Sequence, residues 1–483
     1  MIWIILALSA FLRTYRITDF LGFWFDQGRD ALVIWDLLHK GKVFLIGPTT
    51  GIEGIFLGPF YYYLIAPFYL LSRGNPAAPA LFLGLLNVGA IYVIYLLGVK
   101  FFDKKTGLLA AFLYGFSSQF VNYNRWLANP TSLPIFAVGS LLLLLNIVHA
   151  AISWWTWPLL GLLLGLSLQL EAASAIFFLP ATALTLFLFR RSVKWSHAWI
   201  ISGLLAFGLT LLPQFVFNFR HQNILFNSFK TFLVSDRSFR PEVTNLYVQR
   251  LNFYRETFTK ILAREPRAKD LFLVVSIMLL IISWHRFSQK TAATLLIWWA
   301  TPVLVLMFYH GNNGYVWEYY FTGVYPALVL LIAGSWSAIS KHFIWGRWMV
   351  AGLLCLFIVE NIKPYLSTYS RKIAAYISLT SIVKAVDWIY TDAANQPFNT
   401  DVYVPPVIPY AYDYVFKWRG EAVFNRLPEE KLIKKLYTIY EPDPGHQSLL
   451  DKWLARQAGI ASVEQTLKIG PLTIQSRSRR DFK

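Results

Sequence analysis

The residues best suited to chemistry stand early in the chain, in Phe25-Asp26-Gln27-Gly28-Arg29-Asp30-Ala31. Two carboxylates flank an arginine, with a glycine between them that allows close backbone approach. Residues Ala31 to Leu38 follow as one amphipathic stretch, read as a helix lying along a membrane interface. Asp26 then falls at the N-terminal end of that helix, where the dipole stabilises an anion. The plainer reading makes Asp26 an N-cap, because Asp is a preferred cap. Charge near a membrane is costly, about 2.5–3.5 kcal/mol per group at mid-bilayer, so each such residue needs a reason.

Other stretches add polar groups. Gly58-Pro59-Phe60-Tyr61-Tyr62-Tyr63 places three tyrosines after a turn, at the depth of an aromatic belt. Arg125 is the sole charge in Asn122-Tyr123-Asn124-Arg125-Trp126-Leu127-Ala128-Asn129-Pro130. It either forks onto a phosphate or snorkels from a helix end. Gln169 and Glu171 lie at a helix junction and do not share a face. Glu171 faces the outer water or a cavity. Asn218-Phe219-Arg220-His221, Tyr309-His310-Gly311-Asn312-Asn313 and Glu318-Tyr319-Tyr320 complete the set. There is no His-Glu-x-x-His, no phosphate loop and no dinucleotide fingerprint. No metal site or cofactor is expected.

These residues need elements to hold them. Of 483 residues, 56% are hydrophobic and 14% charged, with a mean hydropathy of +0.47. Soluble domains average about 45–50% apolar and about 25% charged. The balance excludes disorder, a collagen-like chain and a soluble single domain. Cys355 is the one cysteine, so no internal disulfide forms. The net charge of +18 fits basic cytoplasmic loops better than nucleic acid.

A spanning helix takes about 20 apolar residues. Eleven candidates lie near 2–17, 79–101, 107–122, 131–149, 154–171, 173–189, 198–217, 271–285, 292–309, 319–339 and 345–363. The first reads as a retained helix, since no small-residue cleavage site follows it. The run Phe60 to Leu71 is too short to span and reads as re-entrant or interfacial. Lys100, Lys104, Lys105, Arg190, Arg191, Lys194, Arg286, Lys290, Lys341 and Arg347 all fall in even-to-odd connections. That places the N-terminus in the cytoplasm and the C-terminal region outside. Two outer loops are long. Loop 18–78 carries the acidic residues. Loop 218–270 is basic, with Arg237, Arg240, Lys260 and Arg264 among its cations, and reads as a solvated surface or as attraction to lipid phosphates. The polar clusters all fall on the outer face. The expected fold class is an all-α polytopic membrane domain, 1–364, followed by a small α/β extracytoplasmic domain, 365–483. In the latter, Val402–Val404 and Leu472–Ile474 read as strands, Glu429–Tyr437 and Leu449–Gln457 as helices, with Pro405 and Pro406 among the punctuating prolines.

The pattern resembles the polytopic GT-C glycosyltransferases, in the bacterial dolichyl-phosphate-mannose-protein mannosyltransferase and aminoarabinose transferase group. It rests on Leu12-Arg13, the Asp26 to Asp30 segment, Gly58 to Tyr63, Arg125 to Pro130, Leu212-Pro213-Gln214 and Phe219-Arg220-His221, in that order. The resemblance covers roughly residues 1–340. It implies inverting transfer of a hexosyl or pentosyl group from a polyprenyl-phosphate donor to a glycan, lipid or protein acceptor at the outer face of the plasma membrane, without a metal. It implies Asp26 as general base, and Arg29, Arg125 and Arg220 as cations for the departing lipid phosphate. Asp30, Tyr61, Tyr62, Asn129, Gln169, Glu171, His221, Glu318 and Tyr320 would line the substrate cavity. The family often has Asp-Glu where this chain has Asp26-Gln27, and many relatives have His where it has Glu171.

Two other classes fit part of the pattern. A transporter or flippase would show related halves and interrupted helices at matching positions, which the chain lacks. A polymerase or ligase of lipid-linked glycans would place its catalytic groups in a later outer loop, and the basic loop 218–270 leaves room for that.

Overall fold

The computed structural model describes residues 1–235, 246–311, 315–370, 376–405 and 408–480. Arg237, Arg240, Asn312, Asn313 and Pro406 lie outside the described residues.

Apolar helices occupy the expected positions. Among the described residues, five are long and apolar enough to cross a membrane alone: Ala77–Phe101, Asn129–Val148, His197–Arg220, Pro266–Arg286 and Ile344–Tyr369. Others are short, such as Ile2–Thr14 and Thr156–Leu170, or broken, such as Lys104–Phe116 followed by Ser118–Asn124. Helix length alone therefore does not give a count of eleven. The helix His197–Arg220 leaves Ile201, Leu204, Leu205, Leu209, Leu212 and Phe215 exposed, the face that lipid would cover. Its other side meets Thr156–Leu170 at very close range. A β-carbon on Gly161 would lie 1.9 Å from the Gly203 carbonyl oxygen, the small-residue crossing typical of membrane helices.

Arg13 ends the first helix and is fully buried. Its guanidinium donates to Asn124 Oδ1 at 2.9 Å, the Gly115 carbonyl at 2.9 Å and the Ser9 carbonyl at 3.2 Å. The partners are neutral, but the donors are satisfied, which makes the burial tolerable. The bonds also fix the segment leading into Arg125 and Trp126.

Two apolar cores form. One lies among the long helices. The other runs without a break from Ala31, Ile34, Trp35, Tyr61 and Tyr69 into Ile382, Tyr414, Val415, Ile439 and Ile474. The stretch Ala31 to Leu38 lies within the helix Phe25–Lys40, as its period predicts. Protein covers its apolar face, however, and not lipid. The helix Tyr410–Arg419 packs along it. Gly28 permits this, because a β-carbon there would sit 2.3 Å from the Ala411 nitrogen.

The C-terminal part is a four-stranded sheet ordered β1-β2-β4-β3, with β1 Asn399–Tyr403, β2 Lys435–Tyr440, β3 Ala461–Ile469 and β4 Leu472–Arg479. β1 and β2 are parallel, the other pairs antiparallel, and the helix Tyr410–Arg419 makes the crossover that a parallel pair requires. The helix Gln447–Ile460 matches expectation. Glu429–Tyr437 does not form a helix. Asn399 Nδ2 holds the Glu429 and Lys431 carbonyls at 2.7 Å each, its Oδ1 takes the Ile433 amide, and the chain then enters β2. The run Leu436-Tyr437-Thr438-Ile439-Tyr440 suits a central strand.

Candidate active site

The first-loop helix carries the acidic cluster. Trp24 is its N-cap residue, and Gln27 Oε1 accepts from the Trp24 amide at 3.2 Å. Asp26 is therefore not the cap; it stands in the first turn with its side chain 60% exposed. Arg29 NH1 meets Asp26 Oδ1 at 2.9 Å and Thr49 Oγ1 at 3.0 Å. Arg29 Nε and NH2 both reach Asp30 Oδ1, at 3.0 and 2.8 Å. Tyr62 OH donates to the same oxygen at 3.0 Å. Arg29 thus bridges an open carboxylate and a buried one. Burial pushes the Asp30 carboxyl up to about 6, against the pull of Arg29 and Tyr62.

Only part of the aromatic-belt reading survives. Tyr61 and Tyr62 are buried beneath the acidic cluster, and only Tyr63 is exposed. The cause is local: the Gly58-Pro59 turn starts the helix Phe60–Leu71 pointing inward, against the first-loop helix.

Asn129 opens its helix and donates from Nδ2 to Glu171 Oε2 at 3.1 Å and to the Leu170 carbonyl at 2.7 Å. Glu171 caps the short helix Ala172–Ala175, accepting from the Ala173 amide at 3.2 Å, and is buried. That short helix packs on the turn Glu318–Phe321. Tyr319 on this turn stacks edgewise on Tyr320 with centroids 5.0 Å apart, and meets the Trp126 ring at 6.2 Å. Glu171 and Asn129 thus lie beside the turn that carries Tyr319 and Tyr320, with Trp126 against Tyr319. Tyr319 and Trp126 are the two not among the site residues expected from the sequence.

The cations are arranged differently. Arg125 NH1 donates to the Leu12 and Tyr15 carbonyls at 2.9 Å each. Its NH2, like the neighbouring Trp126 Nε1, is buried without a hydrogen-bond partner among the described residues. Buried donors of this kind require an explanation. Arg220 and His221 stand exposed at the end of their helix, and His221 stacks on Phe217 at 4.0 Å. No contact joins them to the acidic cluster among the described residues. Gln169 is wedged between elements: Oε1 accepts from the Phe60 amide at 3.1 Å and Nε2 donates to the Thr210 carbonyl. It supports the Gly58-Pro59 turn.

Glu318 organises a second polar group beside Tyr319. It pairs with Lys260 at 2.5 Å, accepts from Gln119 Nε2 at 2.9 Å and accepts from Tyr123 OH. Burial alone would raise this carboxyl; Lys260 and Tyr123 outweigh it and hold it below the usual range. Arg264 lies near. Its side-chain hydrogen bonds go only to Ser118 Oγ, at 3.2 and 3.1 Å, among the described residues. From sequence, Lys260 and Arg264 were two of many cations in a basic loop.

Residues 57–214 match the family described as dolichyl-phosphate-mannose-protein mannosyltransferase. No curated protein sequence matches the chain. Among solved structures, ArnT from Cupriavidus metallidurans in the apo state is similar with a TM-score of 0.62 at 11% identity, over 98% of this chain and 97% of that one. The same protein bound to undecaprenyl phosphate gives 0.60 at equal identity and coverage. The archaeal oligosaccharyltransferase AglB from Archaeoglobus fulgidus, in complex with an inhibitory peptide and a dolichol-phosphate, is similar at 0.50 and 12% identity, over 100% of this chain and 74% of that one. The chain therefore has the multi-pass membrane fold of the GT-C glycosyltransferases, with the mannosyltransferase match falling on the segment that leads from Leu57 through Glu171 to Gln214.

Proposed function

We propose that the protein is a membrane glycosyltransferase that moves a sugar from a polyprenyl-phosphate donor to an acceptor hydroxyl at the extracytoplasmic face. Asp26 acts as general base: it takes the hydroxyl proton as that oxygen attacks the anomeric carbon. The bond to the lipid phosphate breaks in the same displacement, inverting the configuration. Negative charge grows on the departing phosphate, and preorganised donors there are worth about 10²–10³ in rate each. Arg125 NH2 and Trp126 Nε1 supply two buried donors that await an acceptor, and Arg264 with Lys260 adds cations beside Tyr319. Arg29 holds Asp26 in place through their 2.9 Å contact. Arg220 stands at the open end of its helix, where it would attract the lipid phosphate on approach.

The observation that carries this reading is the open Asp26 carboxylate paired with Arg29 at 2.9 Å, together with the buried donors of Arg125 and Trp126 that have no hydrogen-bond partner among the described residues. The test is release of polyprenyl phosphate from a polyprenyl-phosphate sugar in the presence of acceptor. Asp26→Asn is expected to abolish release while leaving expression and donor binding intact. Full turnover by that variant would remove Asp26 from the role of base.

A further inference from the structure

A cavity of about 340 Å³ lies where the first-loop helix, the end of the helix Phe60–Leu71 and the turn after Arg419 meet. Trp35, Tyr69 and Tyr414 form its aromatic wall, and Arg73 and Glu421 stand exposed on its rim. Neither Arg73 nor Glu421 has an ion pair or side-chain hydrogen bond among the described residues. A cation and an anion left unpaired across one cavity call for a ligand carrying both charges.

Arg73 is held rigidly for such a task. Its φ is 52° and that of Gly74 is 89°. The left-handed conformation costs a non-glycine residue about 1–2 kcal/mol, and such strain collects at ligand clamps. Both carbonyls of the turn are tied down: Trp418 Nε1 donates to Arg73 O at 2.8 Å, and Tyr414 OH donates to Gly74 O at 2.5 Å. A β-carbon on Gly74 would lie 2.6 Å from Trp418 Cδ1. The backbone is locked and the guanidinium is left free.

Depth decides the class of ligand. Arg73 precedes the long apolar helix Ala77–Phe101 by one turn of chain, which is where lipid headgroups meet a span. Leu70 and Leu71, just before it, are 62% and 80% exposed, which suits acyl chains. Glu421 comes from the C-terminal part.

We propose that this cavity binds the headgroup of a zwitterionic phospholipid carrying a primary ammonium, of the phosphatidylethanolamine class. Arg73 takes the phosphate by its fork. Glu421 and the aromatic wall take the ammonium, by charge and by cation–π attraction. The lipid thereby pins the C-terminal part to the outer leaflet. The site is separate from Asp26 and stands whether or not the protein is a transferase.

The test is native mass spectrometry of the full chain released from nanodiscs of dioleoyl-phosphatidylethanolamine and dioleoyl-phosphatidylglycerol. The wild type is expected to retain one ethanolamine lipid, preferred by about tenfold, the worth of one charge-assisted bond. Arg73→Ala is expected to lose both lipids. Glu421→Gln is expected to keep one lipid and lose the preference, a result that a general loss of folding would not give. Equal retention of both lipids by the wild type overturns the proposal, as does unchanged preference in Glu421→Gln. Displacement of the lipid by maltotetraose, with no headgroup preference, would reassign the cavity to glycan and also overturn it.

Discussion

Arg29 has two carboxylates to serve, and they differ. Asp26 is open to solvent, whereas Asp30 is buried and pushed up to about 6. The sign follows from linkage. The folded protein binds the Asp30 proton more tightly than the unfolded chain, so Asp30 costs stability as pH rises from the ordinary value of 3.8 to about 6, and the cost is constant above that. At full ionisation it amounts to about 3 kcal/mol, at 1.36 kcal/mol per unit. Function runs the other way. When Asp30 takes its proton, Arg29 keeps a single counter-charge and draws harder on Asp26, which leaves that carboxylate less free to meet the acceptor hydroxyl. Transfer activity is therefore expected to fall as pH drops through about 6, and Asp30→Asn should hold the low-pH level without that step. A pH–rate profile measures this, and an identical step near 6 in the variant would contradict it. The contact between Asp26 and Arg29 was legible, because residues three apart on a helix meet. The pairing of Glu171 with Asn129 was foreshadowed only by both being polar at helix ends. Tyr319 was not legible, because nothing local says that the turn Glu318–Phe321 would pack on the short helix that Glu171 caps.

At the scale of elements, the helix Phe25–Lys40 is set by what lies on each side of it. Its period was readable in Ala31, Ile34 and Trp35, but the identity of the covering surface was not. An apolar face that meets lipid and one that meets a later helix carry the same residues. Gly28 held the clue, since a glycine inside a helix costs about 1 kcal/mol against alanine and is retained here for close approach. Gly28→Ala puts a β-carbon 2.3 Å from the Ala411 nitrogen and 2.4 Å from the Tyr410 carbonyl carbon. Both are backbone atoms that cannot turn aside. Overpacking of this kind costs about 1–3 kcal/mol, so the variant is expected to melt several degrees lower and to lose activity as Asp26 shifts. Gly208→Ala is the control. Among the described residues, nothing beyond its chain neighbours and its own helix's nearby backbone lies within 4 Å of the point its β-carbon would occupy, and its helix should be unchanged or slightly firmer. Equal melting of both variants would show that the packing at Gly28 has slack. The strands were the least readable elements: β2 was masked by the charged run Glu429-Glu430-Lys431, whose backbone Asn399 captures instead.

For the whole molecule, one apolar core runs across the boundary expected at residue 364. Every candidate residue lies at or before position 320, yet the helix bearing Asp26 is built into a core completed by residues after 376. Ala31 and Ile34 are fully buried and Trp35 is 5% exposed, each larger side chain contributing about 1.5–3 kcal/mol by its burial. Sequence composition, which changes near residue 365, marks where the long apolar helices end and not where the apolar core ends. A chain ending at Tyr369 would retain all candidate residues and all five long apolar helices. It would leave Ile34, Trp35 and Tyr69 uncovered, and it would lose the Tyr414 and Trp418 bonds that hold the Arg73-Gly74 turn. Such a chain is expected to insert and to remain monodisperse by fluorescence-detected chromatography, because the core among the long helices is untouched. It should nevertheless lose transfer activity by at least about tenfold, and limited proteolysis should cut within residues 41–57. Supplying residues 376–483 as a second polypeptide should restore protection of that loop and part of the activity, since the two parts meet through a continuous apolar core. Retention of full turnover by the shortened chain would mean that the first-loop helix holds its position on the membrane helices alone, and the C-terminal sheet would then have to be explained by binding and not by support.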